Sequence, residues 1–150
     1  MLTKIKLSTV VLILTLLSGG VGSWRLHSME AAQVEPGAQI KRGEYLVNEV
    51  ARCIDCHTPR TATGELDMTK LLQGAPTWFT PKIKPKGKWE DRAQDLTMSG
   101  LAGKWGEARL VKFLSTGQKA DAPMPAYKLT VEDAKAVTAY LRSLPGKKKS

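Results

Sequence analysis

Two cysteines and one histidine stand together in the pentapeptide Cys53-Ile54-Asp55-Cys56-His57, and these are the only cysteines of the chain. Two thiols separated by two residues can bond the two vinyl groups of one porphyrin, while the imidazole that follows reaches the iron. The pattern therefore predicts one covalently attached haem c, with Cys53 and Cys56 as attachment points and His57 as an iron ligand.

Three other kinds of site use cysteines at such a spacing. A structural zinc site usually takes four nitrogen or sulfur ligands, and outside the motif the chain offers only His27 and carboxylates. A thioredoxin-like thiol pair requires a preceding strand and parallel β-α-β units, which the sequence pattern does not indicate. A disulfide between Cys53 and Cys56 would close a very tight loop and leave His57 without a role. This disulfide is the alternative for a chain to which haem is never attached.

The second iron ligand is expected from a loop far along the chain. Met124 stands between Pro123 and Pro125, and the two prolines restrict the backbone so that the thioether can be held toward a metal. We therefore predict Met124 as the ligand and Met98, whose position is more typical of a core residue, as its main rival. The less suitable candidates are Met29, Met68 and the second histidine, His27.

Apolar residues recur at helical spacing in three segments, and no alternating strand pattern accompanies them. The first helix starts near Ile40 and runs into the cysteine motif, with a stripe of Ile40, Gly43, Leu46 or Val47, Val50 and Ile54. The second covers about residues 104–115, with Leu101, Trp105, Ala108, Val111 and Leu114 on one face, and stops at Thr116-Gly117. The third has Thr130 as its N-cap, a stripe of Ala134, Val137, Leu141 and Leu144, and Pro145-Gly146 as its stop.

Residues 58–100 are rich in Thr, Pro, Gly and Lys, which predicts a long loop with one short helical turn. So long a loop in a compact domain is reasonable where it wraps around a cofactor. The sequence thus predicts an all-α fold of three main helices, with long loops around a covalently bound haem.

The N-terminus has the pattern of an export signal. Lys4 and Lys6 precede an apolar run from Leu7 to Leu17 and a small-residue stretch that ends at Ser23. We predict a signal peptide over residues 1–23 with cleavage after Ser23, and an uncleaved membrane anchor is the alternative. A linker over 24–38, a haem-binding domain over 39–146 and a basic tail over 147–150 follow. The folded part is then periplasmic or otherwise extracytoplasmic.

The chain is basic, with a formal net charge of +9, and removal of the two leader lysines would leave +7. Local density occurs at Lys82, Lys84, Lys86 and Lys88 and in the tail, without any nucleic-acid-binding motif. We expect redox partner proteins with acidic docking surfaces and no nucleic acid; contact with the membrane is expected only through an uncleaved leader. For the tail, plain solubility is an equally good explanation.

Taken together, these motifs resemble the class I c-type cytochromes with one haem, in particular small periplasmic cytochromes c and the cytochrome subunits of dehydrogenases. The resemblance covers residues 39–146 and rests on the motifs at 42–46, 53–58, 95–97, 103–105, 124–127 and 129–145, in that order. It implies that the first and last helices cross, with Gly43 as the candidate for their close approach. It also implies a carbonyl partner for the His57 imidazole, for which Pro59, Pro76 and other groups all stay open.

An imidazole and a thioether can remain bound to ferrous and ferric iron alike, which suits a one-electron carrier. We expect such a carrier, either a shuttle or the haem subunit of a dehydrogenase complex, with no catalytic residue of its own. The alternative is a haem enzyme or sensor that opens an iron site to peroxide or a small gas. The expected apolar shell of the haem consists of Trp105, Leu114, Tyr127 and Leu141.

Overall fold

A computed structural model describes residues 35–83 and 85–147 of the chain. Within these residues the α-helices are α1 (Pro36–Tyr45), α2 (Cys53–His57), α3 (Leu101–Trp105), α4 (Glu107–Thr116) and α5 (Val131–Ser143). The predicted leader, most of the predicted linker, Lys84 and the last three residues of the predicted tail lie outside the described residues.

Helix α1 begins at Pro36, inside the segment that the sequence predicted to be a linker, so that prediction is wrong for residues 36–38. Proline is well tolerated in the first turn of a helix, because the N–H that it lacks would have no partner inside the helix there. The helix continues into a π-helical turn, Leu46–Val50. This wider turn rotates the following side chains, and Val50, predicted to lie on the buried stripe, is 54% exposed.

Helices α1 and α5 cross at a close approach of their backbones, as the family resemblance implied. A Cβ atom at Gly43 would overlap the carbonyl oxygen of Ala136 and would lie 2.8 Å from the Cβ of Tyr140. An ion pair between Arg42 Nε and Asp133 Oδ1, at 2.9 Å, joins the two helices on the surface nearby. Gly43 therefore sets the distance between the two crossing helices.

The second predicted helix is divided at Gly106, which adopts φ +72° and separates α3 from α4. The break shifts the apolar face: Leu110, Phe113 and Leu114 are buried, whereas Ala108, predicted on the core face, is exposed. The predicted stop is confirmed, because α4 ends at Thr116 and Gly117 follows with φ +72°.

Helix α5 has the predicted N-cap, since the Thr130 hydroxyl accepts a hydrogen bond from the backbone N–H of Asp133. Of its predicted stripe, Ala134, Val137 and Leu141 are buried and Leu144 is partly buried. The helix ends one residue before Leu144, ahead of the predicted Pro145-Gly146 stop.

The long segment 58–100 contains one short 3₁₀ turn, Met68–Lys70, as expected, and two strands that the sequence did not indicate. Strands β1 (Ala75–Pro76) and β2 (Arg92–Ala93) pair antiparallel, with Ala75 opposite Ala93. Two-residue strands are too short to show an alternating pattern, which explains why the sequence does not reveal them. The pairing of β1 with β2 brings the two ends of residues 77–91 together.

A single apolar cluster joins α1, α4 and α5 to the long segment. Its fully buried members include Val47, Leu72, Ala102 and Ala134. The predicted all-α class is confirmed in the described residues, with the small sheet as an addition. In the part of the chain that the structure describes, no helix is both long enough and apolar enough to cross a membrane.

Candidate haem site

The cysteine motif forms helix α2, which starts after a sharp turn at Arg52 with φ 54°. The Arg52 guanidinium holds the first turn of α2 by donating two hydrogen bonds, of 2.9 and 3.0 Å, to the carboxylate of Asp55.

Both thiols are partly buried and free, so no disulfide joins Cys53 to Cys56. Burial raises the pKa of Cys53 to about 11 and raises that of Cys56 as well. Reactive thiol pairs have a lowered pKa, so the thioredoxin-like alternative lacks support here.

His57 is buried at the end of α2, and its ring is oriented by one hydrogen bond. Nδ1 lies 2.7 Å from the carbonyl oxygen of Gln94 and donates to it, because a carbonyl can only accept. Burial lowers the pKa of the imidazole, against the opposing effect of this hydrogen bond, and so favours the neutral ring. Nε2 is then the nitrogen that keeps a lone pair for a metal.

The carbonyl partner of the His57 imidazole is therefore that of Gln94. From the sequence, Pro59, Pro76 and other groups were all candidates. Gln94 directly follows strand β2, so the pairing of β1 with β2 positions its carbonyl. A second bond ties the same regions together, because the N–H of Gly74 donates to the carbonyl of His57 at 2.8 Å. Nothing in the residue types of this loop indicates such a backbone partner; it arises from the tertiary fold.

Met124 and the α2 motif line the same cavity, whose volume is about 380 Å³. The Met124 N–H donates to the carbonyl of Asp121 at 3.3 Å, which closes a turn in front of the methionine. After it, the Tyr127 hydroxyl donates to the carbonyl of Ala51 at 2.9 Å and fastens the loop to the turn that precedes α2. The fold therefore brings Met124 and the cysteine motif together across more than 60 residues of sequence.

Met98 does not share this position. It is 43% exposed and does not line the cavity, so its predicted role as a core residue is wrong. The reason is local: the turn of Asp95, Thr97 and Ser99 is closed by side-chain hydrogen bonds, and Met98 lies outside it. Met68 is also exposed and away from the cavity, whereas Met29 and His27 lie outside the described residues.

The cavity wall agrees with the predicted apolar shell in part. Trp105 and Tyr127 line it, but Leu114 and Leu141 are buried in the core instead. Five large apolar wall residues were not part of the predicted shell: Trp78, Phe79, Leu96, Leu101 and Phe113. Phe113 was missed because the break at Gly106 changes the helix face, although its ring packs edge-on against Trp105 with centroids 5.3 Å apart.

These residues fit a haem c. Two free thiols lie three positions apart on one helix, a buried neutral imidazole and a thioether line the same cavity, and aromatic rings supply apolar walls. Four cationic side chains, those of Arg52, Arg92, Arg109 and Lys119, line the cavity together with the carboxylates of Glu90 and Asp121. The lining thus has an excess of positive charge, which suits the negative charge of haem carboxylates. Across residues 35–83 and 85–147 no group of three His, Cys, Asp or Glu side chains is placed to hold a metal ion, so the zinc alternative has no site there.

Comparison with known proteins supports the same assignment. The family model described as Cytochrome c matches residues 40–145. The fructose dehydrogenase cytochrome subunit of Gluconobacter japonicus is 35% identical over 121 residues, which cover 73% of this chain and 23% of that protein. The cytochrome c subunit of the quinone-dependent alcohol dehydrogenase of Gluconobacter oxydans is 30% identical, with coverages of 83% and 29%.

A diheme c-type cytochrome of Cereibacter sphaeroides is 28% identical over 83% of this chain and 43% of its own length. The chain therefore spans less than half the length of each of these relatives. The family match extends from α1 to the end of α5 and includes the whole cavity region. The chain belongs to the cytochrome c family, and the thiols, imidazole and thioether that line its cavity fit the covalently bound haem c of that family.

Proposed function

We propose that this chain carries one electron at a time on a single haem c, which is attached through Cys53 and Cys56 and ligated by His57 and Met124. One observation carries the proposal: both thiols, the buried imidazole and the thioether line one cavity. A haem with these two ligands supplies reversible one-electron transfer between ferrous and ferric iron.

The number of haems follows from the cysteines. Each covalently held haem uses two thiols, and the chain has only two.

The protein's own groups fix the ligands in advance of any redox change. The Gln94 carbonyl holds His57 in the tautomer with Nε2 unprotonated, and this hydrogen bond also makes the imidazole a better donor. The Tyr127 hydroxyl and the Asp121 carbonyl restrain the Met124 loop on both sides. Rigid ligands favour fast electron transfer, because little has to move when the charge changes.

The walls support a carrier more than a catalyst. Leu96 and Phe113 are buried and Trp105 is partly buried, so the three side chains give the cavity an apolar wall. His57 is the single histidine in the described residues, and its Nδ1 is already hydrogen-bonded to the Gln94 carbonyl. The described residues therefore contain no second imidazole that could transfer protons. We therefore place the chain among electron carriers rather than among peroxidases or gas sensors.

We further propose that the carrier operates outside the cytoplasm, with residues 1–23 as its export signal, residues 24–35 as a linker and the haem domain beyond. Its role is that of a shuttle or a haem subunit serving a dehydrogenase. Support comes from relatives that are named as cytochrome subunits of fructose and alcohol dehydrogenases. The net charge of +9 favours partners with acidic surfaces.

Intact mass and a pyridine haemochrome spectrum test the attachment, on protein exported from cells that mature c-type haem. We expect the mature chain plus one haem, and a chain that begins after Ser23. Cys53→Ala and Cys56→Ala should each reduce haem attachment, whereas Lys135→Gln, at an exposed position of α5 away from the cavity, should retain full attachment. Wild-type protein without covalent haem, or equal loss of haem in the Lys135 variant, would contradict the assignment.

Carbon monoxide separates a carrier from a haem enzyme or sensor. A carrier with both iron positions filled should be low-spin and should bind carbon monoxide slowly or not at all when reduced. A high-spin ferric protein whose ferrous form binds carbon monoxide at once would refute the carrier and support the alternative.

A further inference from the structure

Residues 77–91, here called the aromatic loop, expose an unusual amount of apolar surface. Trp78 is 61% exposed and Ile83 is 84% exposed, and Phe79 is also exposed. Single exposed apolar residues are ordinary in soluble proteins, but three in one short loop mark an interaction surface. Tryptophan and phenylalanine are enriched where proteins meet.

The aromatic loop is held at its base. Strands β1 and β2 pair on either side of it, and the Thr77 N–H donates to the carbonyl of Asp91 at 2.8 Å. The Thr77 hydroxyl donates a further hydrogen bond of 3.0 Å to the carbonyl of Glu90. The N–H of Glu90 in turn donates to the carbonyl of Ala122, two residues before Met124. A surface held in place in this way loses little conformational entropy when a partner binds.

The rings of the aromatic loop form a continuous contact. Phe79 packs edge-on against Trp78 on one side and Trp89 on the other, with centroid distances of 5.0 and 5.7 Å. Trp78 and Phe79 are at once exposed and part of the wall of the haem cavity. A partner that covers these two rings is therefore separated from the cavity by a single layer of side chains.

The charges around the rings indicate which partner fits. Lys82 and Lys86 are exposed and form no ion pair with any described residue, whereas Lys88 is paired with Glu90 and Asp121. The guanidinium of Arg60 stacks over Trp78 at 5.1 Å from the ring centroid. The loop that carries the exposed rings thus also carries positive charge without an ion-pair partner among the described residues, and an acidic surface complements it.

We propose that the aromatic loop is the docking surface through which a redox protein with an apolar patch inside an acidic rim exchanges electrons with this chain. The inference rests on the proposed function, since it names the face through which the haem is reached. A protein suits this face better than a lipid surface does, because the rate of electron transfer falls steeply with the distance between donor and acceptor. Lipid over Trp78 and Phe79 would keep any donor or acceptor protein away from the cavity.

The test measures electron transfer from reduced holoprotein to an acidic blue copper protein by stopped flow over a range of ionic strength. Ile83→Ser removes the most exposed apolar side chain of the loop, and Val131→Ser on α5, 46% exposed, is its control. The double variant Lys82→Glu, Lys86→Glu is matched by Lys112→Glu, Lys135→Glu, which changes the net charge equally on exposed positions of α4 and α5, away from the haem cavity.

We expect Ile83→Ser to lower the second-order rate constant roughly fivefold and the loop charge reversal to lower it roughly tenfold at low salt. Both controls should have less effect, and the effect of the loop charges should fade as salt is added. Equal losses in the loop double variant and its control would show that only net charge matters and would overturn the proposal. An Ile83→Ser rate equal to that of wild type would overturn it as well.

Two further measurements distinguish a failure of the docking proposal from a failure of the carrier function. Oxidation by ferricyanide, which needs no docking surface, should be equally fast in wild type and Ile83→Ser; if wild type is not oxidised at all, the carrier function itself fails. Co-sedimentation with vesicles of one part phosphatidylglycerol to three parts phosphatidylcholine tests lipid as the occupant. Strong binding of wild type that Ile83→Ser abolishes would overturn the docking of a protein in favour of a membrane.

Discussion

Replacing Gly43 by alanine tests the helix crossing that supports the haem site. The added Cβ would lie 2.6 Å from the carbonyl carbon of Ala136 and 2.8 Å from the Cβ of Tyr140, and it would overlap the Ala136 oxygen. Carbon atoms in contact normally lie about 3.5–4.0 Å apart. Backbone atoms cannot rotate away as a side chain would, so α1 and α5 must move apart by about 1 Å.

The expected loss is the difference between two effects. Overpacking in a core typically costs 1–3 kcal/mol, and because the clash is with backbone atoms we take about 3 kcal/mol. Alanine is favoured over glycine inside a helix by about 1 kcal/mol. The free energy of unfolding should therefore fall by about 2 kcal/mol in Gly43→Ala.

Guanidinium denaturation of the holoprotein, followed by circular dichroism, measures this loss. Gly37→Ala is the matched control, because the same substitution in the same helix has no neighbour within 4 Å. The control should leave the unfolding free energy unchanged or raise it by up to about 1 kcal/mol. If Gly43→Ala is as stable as wild type, or if Gly37→Ala is destabilised equally, the crossing does not depend on the missing Cβ.

Three other substitutions test single contacts. Thr130→Ala removes the N-cap bond to Asp133 and should lower the unfolding free energy by about 1 kcal/mol; a change below about 0.3 kcal/mol would contradict the cap. Tyr127→Phe leaves the Ala51 carbonyl without its donor and should cost about 1–2 kcal/mol by the same denaturation assay; an unchanged midpoint would show that the bond contributes nothing. Asp95→Asn should flatten the loss of stability as the pH falls below about 4, measured by denaturation at pH 3 to 7, whereas an unchanged acid profile would rule out this carboxylate.

The acid prediction follows from the sign of the pKa shift. Partial burial alone would raise the pKa of Asp95, but hydrogen bonds from Thr97 and Ser99 outweigh it and hold the pKa below its ordinary value. The unfolded chain then binds the proton at a higher pH than the folded protein does. The stabilisation is present at neutral pH and is lost as the pH falls through the folded pKa.

Local signals were enough to predict much of the candidate site. The spacing of Cys53, Cys56 and His57 is a covalent requirement of one porphyrin, and the prolines around Met124 restrict the backbone directly. The cap at Thr130 is also local, since its hydroxyl needs only the next turn of its own helix. Such features depend on a few neighbouring residues and are therefore visible in the sequence.

Other parts depend on contacts between distant segments. The partner of His57 is a backbone carbonyl 37 positions away, and every residue type offers the same carbonyl. Phe113 reaches the cavity only because Gly106 divides the predicted helix. The aromatic loop, with Trp78 at the cavity, is positioned by a two-residue sheet too short to leave a pattern. The sequence alone has no means of showing these three features.

The central claim is that Met124 completes the iron site that the cysteine motif begins. The ferric holoprotein should show the long-wavelength charge-transfer band of a methionine bound to haem iron. Met124→Ala should abolish this band, whereas Met98→Ala, an exposed methionine away from the cavity, should leave it intact. A band that survives Met124→Ala, or one that Met98→Ala removes, would contradict the proposed site.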